Sequence, residues 1–502
     1  MQPYSVRGVS DQIVLGSACQ APPGTAAVAG GCHHTVHAAA EILAAGGNAT
    51  DAAVAGMMAA AMAEPVLTSP GGGGFLMHAP LNEEPRYLDF FVNTPGLGAS
   101  GSPAPMTAVP IIFGTTDDPQ AEQIFHAGWS SVAVPGALAG YIEAHQRWGR
   151  LPWAQVTQPA IDLAHNGLVL DAIQRDFLRL VADVLTLTPG SAQVYQEVLR
   201  TGRFANSQYA DALEQCQRNV AAAYQDWVNL VAQEVRANGG ILTAEDFAAY
   251  EVVQRAPSTA SRNGHRLWVN PPPSFGGAIV LDALSEIPRW DGTSWDAVAE
   301  ALLMATVRQR ERDAHEEATE VATGTTHITV VDRDGLMVSC TTSNGSGSGT
   351  EVGGIQLNNM LGEEDLNPGG MHAFAPGVRM GSMMTPTLIE RTDGTRVAFG
   401  TGGSERIRSA IVCVALQLLD QEVSLVDAIN ADRLHVTDTS IELEPGVNLA
   451  SATGFAHHRI RNWPQRDLFF GGVHGISRAP DGSLEAVGDL RRGGTAAVVR
   501  FS

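Results

Sequence analysis

At 502 residues the chain is long enough for roughly three domains by the usual length prior, and a single large mixed α and β fold fits as well. Its 53 acidic residues against 31 basic ones leave a formal net charge of -22, which argues against nucleic acid and anionic membrane as partners. All 31 basic residues are arginine, so Schiff-base and P-loop chemistry, both of which need a lysine, are excluded.

The N-terminal "MQPYSVRGVSDQIVLGSACQ" lacks a basic stretch followed by an apolar run, and no later segment approaches a membrane span. The five cysteines, Cys19, Cys32, Cys216, Cys340 and Cys413, show no CxxC spacing, so reduced thiols and a cytoplasmic protein are expected. Residues 37–63 read as two alanine-rich helices broken at Gly46-Gly47-Asn48, with Asn or Thr as the second cap. "EPVLTSPGGGGFLMH" is a glycine loop entering a strand, and "EPRYLDFFVNTP" is a second strand ended by Pro95. From 128 to 250 the apolar spacing is mainly helical, until "NPPPSFGG" interrupts. After a helical stretch running to Thr319, strands are expected at 326–331, 336–342, 386–390 and 396–400, with "DRDG" and "RTDG" as turns, then a helix near 404–420.

The stretch "VATGTTHITVVDRDG" at 321–335 is, on its own, one arm of a β-hairpin. A threonine hydroxyl is a poor nucleophile without a base, and His327 two residues beyond Thr325 on the same strand face does not make a dyad. The chain itself offers a base. If the peptide bond before a threonine is cut, the freed α-amino group, with a pKa of about 7.7 to 8.0, sits beside its own hydroxyl. Gly324 stands just before that bond, where a glycine leaves room for the hydroxyl to approach the carbonyl.

Thr325-Thr326-His327 followed by "VVDRDG", "GIQLNN", "MTPTL" and "GTGGSERI" resembles the small subunit of the gamma-glutamyltransferase (gamma-glutamyltranspeptidase) family of N-terminal nucleophile hydrolases. "HAAAEILAAGGNATDAAVA", "GGGGF", "VPGALAG", "WGRLPW", "LTAEDFAAY" and "PPPSFGG" resemble its large subunit, and "GDLRRGG" its C-terminus, so the resemblance covers nearly the whole chain. It implies an α+β fold, an αββα four-layer sandwich, cut by the chain itself between Gly324 and Thr325. Residues 1–324 would form a mostly helical large subunit, and residues 325–502 a small one of 178 residues beginning with the nucleophile. By the same matching Thr342 is the second hydroxyl that supports Thr325. Gly402 and Gly403 fall where backbone N–H groups form an oxyanion hole, and Asn344 and Ser382 where substrate is contacted. The placement of Thr342 and Asn344 takes a one-residue deletion near Ser343.

The chain departs from the family where substrate is held. Phe91 stands in place of an arginine that grips an α-carboxylate. Met383 replaces a serine, Met360 a polar contact, and Glu363 the amine-binding aspartate. A site that has lost these partners is expected to disfavour glutathione and to take a less charged or more apolar acyl group, from an amide. Framework relatives include cephalosporin acylases, oxamate amidohydrolase and enzymes of alkylproline antibiotic pathways assigned to carbon–carbon hydrolysis. The acyl group is expected to pass to water, with transfer to an amine acceptor, as an acyltransferase, also open; cleavage of a carbon–carbon bond and a non-catalytic binding relative are the alternatives.

Other motifs read as structure. Cys32, His33, His34 and His37 lie close in sequence, but a packed helix start is the better reading than zinc, and neither metal nor cofactor is expected. "SPGGGGF" lacks the residues of a phosphate loop and reads as close backbone approach near the active site. His457, His458 and "HEEATE" read as solvated surface, and Phe469-Phe470 as core. The partners expected are a small-molecule substrate and the two subunits of one precursor.

Overall fold

The structure, a computed structural model, describes residues 12–115, 118–313, 324–367, 369–450 and 452–501. Two sheets lie face to face. The first has eight strands in the order Ile13–Gly16, Thr495–Val499, Ala26–Gly30, Gly324–Val331, Met337–Gly345, Gly73–Ala79, Arg86–Phe90 and Val253–Arg255. The second has seven, in the order Ser258–Arg262, His265–Val269, Thr387–Glu390, Arg396–Gly402, Gly472–Arg478, Leu484–Gly488 and Ala18–Ala21. All neighbours in both are antiparallel.

Three hydrophobic clusters mark the three interfaces of a four-layer αββα sandwich. One joins the first sheet to helices that include His33–Ala44 and Ala49–Ala63. A second joins the other sheet to Gly276–Glu286, Trp295–Asp313 and Arg406–Leu419. The third, between the sheets, is thinner and rich in alanine, with Ala27, Ala29, Ala398, Ala486 and Ala496. Alanine there lets the sheets approach closely, which brings backbone from one sheet against backbone of the other.

The helix Ala49–Ala63 is buried all round except at Ala61. Such a helix has no solvent face, which is why its sequence shows composition but no amphipathic period. Asn48 starts it, its side chain accepting from the Thr50 and Asp51 amides while Asp51 accepts from the Asn48 amide. Within the mainly helical run expected from 128 to 250, the stretch "DALEQCQRNVAAAYQDWVNLVAQEVRANGG" falls on two helices, Ser207–Arg218 and Val220–Ala237, broken where Asn219 caps the second. A long hairpin, Thr107–Thr115 with Asp118–Ala127, was not expected, and the helix Trp295–Asp313 is described only to Asp313. The "HEEATE" run and the rest of the stretch to Thr319 lie outside the described residues.

Candidate active site

The hairpin Gly324–Val331 with Met337–Gly345 is closed by "DRDG", where Asp332 accepts from the Asp334 and Leu336 amides and from Ala49 at the start of the buried helix. Side chains alternate along a strand. Ile328 and Val330 face the helices, and His327 and Val331 face the second sheet. Thr325 shares that second face and is buried.

The surroundings of Thr325 are set by backbone proximity. A Cβ on Gly324 would stand 2.4 Å from the Val66 carbonyl oxygen and 2.6 Å from that of Gly345. One on Gly402 would stand 2.0 Å from the Thr325 carbonyl oxygen. Gly72, from the glycine loop, presses likewise on the Ser343 carbonyl oxygen, 2.2 Å from where its Cβ would be. Gly403, next to Gly402, has φ 132°, a torsion that favours glycine.

Ser343 pairs directly across from Thr325, with a shift of register between Gly324 and Thr325. Its hydroxyl donates to the Gly324 carbonyl oxygen at 2.5 Å and accepts from the Gly345 amide at 3.0 Å. Thr342, expected at this place, points the other way: its hydroxyl meets Thr68 Oγ1 at 2.7 Å and Met57 Sδ at 3.4 Å on the helix side. A displacement of one residue in a strand moves a side chain to the opposite face, which is why Ser343 and not Thr342 faces Thr325. Asn344 is also drawn away from Thr325, its amide donating to Gln356 Oε1 at 2.9 Å.

Glu363 holds a loop instead of lining the pocket. Its Oε1 accepts from the Ser346 amide and hydroxyl at 3.0 and 3.1 Å, while Oε2 has no hydrogen-bond partner. Burial raises its carboxyl above the ordinary carboxylate range.

A small pocket opens beside Thr325. Phe91, Met360, Leu366, Met383, Met384 and Ile407 give it an apolar wall, and Thr325, Ser343, Ser382 and Ser404 bring hydroxyls. None of these lining side chains carries a charge. Phe91 serves core and pocket together, stacking on Phe75 at 5.7 Å between centroids. Arg379 is not among the residues that line this pocket: it donates to the Phe91 carbonyl oxygen, lies 3.6 Å from Asp89 and covers the Tyr250 ring. The "PPPSFGG" segment fixes the far wall, since the Ser382 carbonyl accepts from Ser274 Oγ and from the Phe275 and Gly276 amides.

One residue passed over in the sequence stands under the Thr325 strand. Glu64 is fully buried, accepting from Thr35 Oγ1 at 2.6 Å and from Thr326 Oγ1 at 2.5 Å. Its carboxyl is pushed up to about 7 by burial, against the opposing pull of the two hydroxyls. The glutamate of "EPVLTSPGGGG" just after an apolar helix was the available signal.

His327 is enclosed between the sheets by Thr341, Thr329 and Ser339 hydroxyls, and burial drives its pKa well down, so it stays neutral. Cys32, His33 and Asp171 present ligand atoms within 4.8 Å of one another, but burial raises the Cys32 thiol well up, with Glu64 and Asp171 adding to it. Phe470 is core, Phe469 stacks on Trp463 at 5.0 Å, His457 is exposed and His458 is half-buried.

Comparison with known proteins shows the family of the chain. The family model described as gamma-glutamyltranspeptidase matches residues 35–312 and 296–499. The acylase ACY 1 proenzyme of Pseudomonas sp. (strain SE83) is 30% identical over 426 residues, 73% of this chain and 75% of its own length. The glutathione hydrolase proenzyme of Escherichia coli (strain K12) is 26% identical over 432 residues, 73% of each chain. Among solved structures, a cephalosporin acylase from Bacillus halodurans superposes with a TM-score of 0.76 at 22% identity, covering 99% of this chain and 98% of that one, a likeness of fold.

Proposed function

The chain belongs to the gamma-glutamyltranspeptidase family, and on that premise we propose that it is a self-cleaving amide hydrolase acting through an acyl-enzyme on Thr325. The observation that carries this reading is the meeting of the Thr325 strand, the Ser343 hydroxyl and the Gly324 carbonyl at one peptide bond.

In the first reaction the Thr325 hydroxyl adds to the Gly324 carbonyl carbon. Ser343 donates to the oxygen that becomes negative, which lowers the barrier as any fixed oxyanion donor does. Breaking the C–N bond gives an ester and frees the Thr325 amine. Water then hydrolyses the ester, leaving a Gly324 carboxylate on residues 1–324 and an N-terminal threonine on residues 325–502.

In turnover the freed amine takes the hydroxyl proton while Thr325 Oγ1 adds to the substrate amide, and the proton passes to the departing amine. The Gly402 and Gly403 amides are assigned to the oxyanion, in keeping with the close approach of Gly402 to Thr325. Water releases the acyl group and restores the threonine.

The lining of Phe91, Met360, Met383 and Met384 supports an apolar, uncharged acyl group over a gamma-glutamyl one. Ser382 fits a hydrogen-bond donor to that group, whereas Asn344 and Glu363 fit the walls of the site. Placement in the cytoplasm accords with five free cysteines.

Purified protein is expected to pass from one band near 52.8 kDa to two, the smaller starting at Thr325. A panel of acyl donors, amides with keto acids, then adds the mass of an apolar acyl group to that smaller chain. A chain that stays whole defeats the processing step, and ready gamma-glutamyl labelling defeats the substrate assignment. An adduct from the keto acids alone would replace the amide with a carbon–carbon bond, and a Thr325→Ala chain with unchanged function would make this a binding protein.

A further inference from the structure

Thr326 points to the helix face of its strand, where Glu64 closes the end of Ala49–Ala63 and Thr35 comes from His33–Ala44. The space is filled: a Cβ on Gly31 would stand 2.5 Å from Glu64 Oε2 and 3.1 Å from Thr326 Oγ1. Among the described residues no arginine or histidine forms an ion pair with Glu64; its carboxyl oxygens accept from two hydroxyls, with the Cys32 thiol and the Asp171 carboxylate near by. A buried carboxyl so placed costs stability compared with an apolar side chain. What it gains is a grip on the residue that follows the nucleophile.

That grip matters most after the chain is cut. In the uncut chain Thr325 is fixed from before and after, because Gly324 is wedged between Val66 and Gly345 and its carbonyl is held by Ser343. Cleavage removes the covalent half of that restraint, and a chain terminus frays unless something ties it down. Among the described residues, the Thr326 to Glu64 hydrogen bond is the side-chain link from the first two residues of the new terminus to the rest of the site.

We propose that Glu64 is a positioning residue for turnover, holding Thr326, and through the backbone Thr325, in place once the bond to Gly324 is gone. This rests on the reading of Thr325 as the nucleophile. Before cleavage the restraint is redundant, so self-cleavage depends on Glu64 much less than the reactivity of the mature threonine does.

The test compares two rates in one protein: self-cleavage, followed as conversion of the single band, and labelling of mature Thr325 by an aliphatic β-lactone, followed as added mass on the small chain. Thr326→Val is expected to slow labelling by about 10- to 100-fold, the usual cost of a nucleophile displaced by about 1 Å, while self-cleavage changes by less than about threefold. Glu64→Gln, whose amide accepts from one threonine and donates to the other, restores labelling to within about threefold of the wild type. Glu64→Leu combined with Thr326→Val is no worse than Thr326→Val alone, as two ends of one link require. Equal losses in both rates, or no loss of labelling in Thr326→Val, overturn the role of Glu64 while leaving Thr325 as nucleophile. A wild-type chain that takes no label, or a Thr325→Ala chain labelled as fast as wild type, removes the nucleophile reading and the proposal together.

Discussion

Around Thr325, backbone stands against backbone: Gly324, Gly402 and Gly72 each occupy a place where a Cβ would fall within 2.4 Å of a carbonyl oxygen. A few residues away the pocket wall is made of Phe91, Met360, Met383 and Met384, side chains that adapt in shape and bring no polar partner of their own. The first region tolerates one residue type per position. The second tolerates any apolar filling of similar volume, so it is where a family can change substrate without disturbing how the bond is broken.

The sharpest way to break this contrast is Gly402→Ala. Its methyl would need the space of the Thr325 carbonyl oxygen, so self-cleavage should fall by at least about 100-fold, read as an uncut band near 52.8 kDa. Normal cleavage would show that the sheets part freely. Next comes the pair Ser343→Ala and Thr342→Val. Loss of the donor to Gly324 is expected to slow cleavage by about 100- to 1,000-fold. Thr342→Val loses the contacts to Thr68 and Met57, worth about 1 kcal/mol in a denaturation curve, with cleavage little altered. A reversal of these two would restore Thr342 to the nucleophile.

In the pocket, Met383→Ala should shift the preferred acyl chain by a methylene or two, about tenfold in relative kcat/KM across a homologous series. The smallest effect concerns Glu363. Because burial lifts its carboxyl above its unfolded value, the folded protein binds an extra proton, and the stability this brings is fully present below the unfolded pKa and lost as pH rises through the folded one. Glu363→Gln should therefore gain on the wild type as pH rises from the ordinary carboxylate range, in denaturant titrations at stepped pH.

The same contrast governs what could be read from the chain. The helix break at Gly46-Gly47-Asn48, the glycine loop and the hairpin were legible because glycine, asparagine caps and strand-favouring threonines follow from local backbone demands, whereas the four layers came from the family resemblance. The exchange of Thr342 for Ser343 was not, since in "TTSN" adjacent hydroxyls differ only in the face they present, and the face is set by pairing with Gly324–Val331. Asn344 and Glu363 went the same way: one end of each polar side chain holds the loop at 345–357, Asn344 Nδ2 donating to Gln356 and Glu363 Oε1 accepting from Ser346. Phe91 could be either pocket or core from its strand pattern, and it is both. Glu64 was missed because its partners, Thr35 and Thr326, lie 29 and 262 residues away.

The order of strands in the larger sheet bears on the protein's life history. Segments from before residue 324 and from after it alternate there: Thr495–Val499 lies between Ile13–Gly16 and Ala26–Gly30, and the Thr325 hairpin lies between Ala26–Gly30 and Gly73–Ala79. If the bond at 324 is broken as proposed, neither piece keeps a sheet to itself, and neither can leave without tearing seams along the other. Assembly of the intact chain is a one-molecule event, whereas reassembly of the unfolded pieces needs two to meet. Heating the mature protein past its transition would therefore erase something the intact precursor could rebuild, and its yield on cooling would depend on concentration.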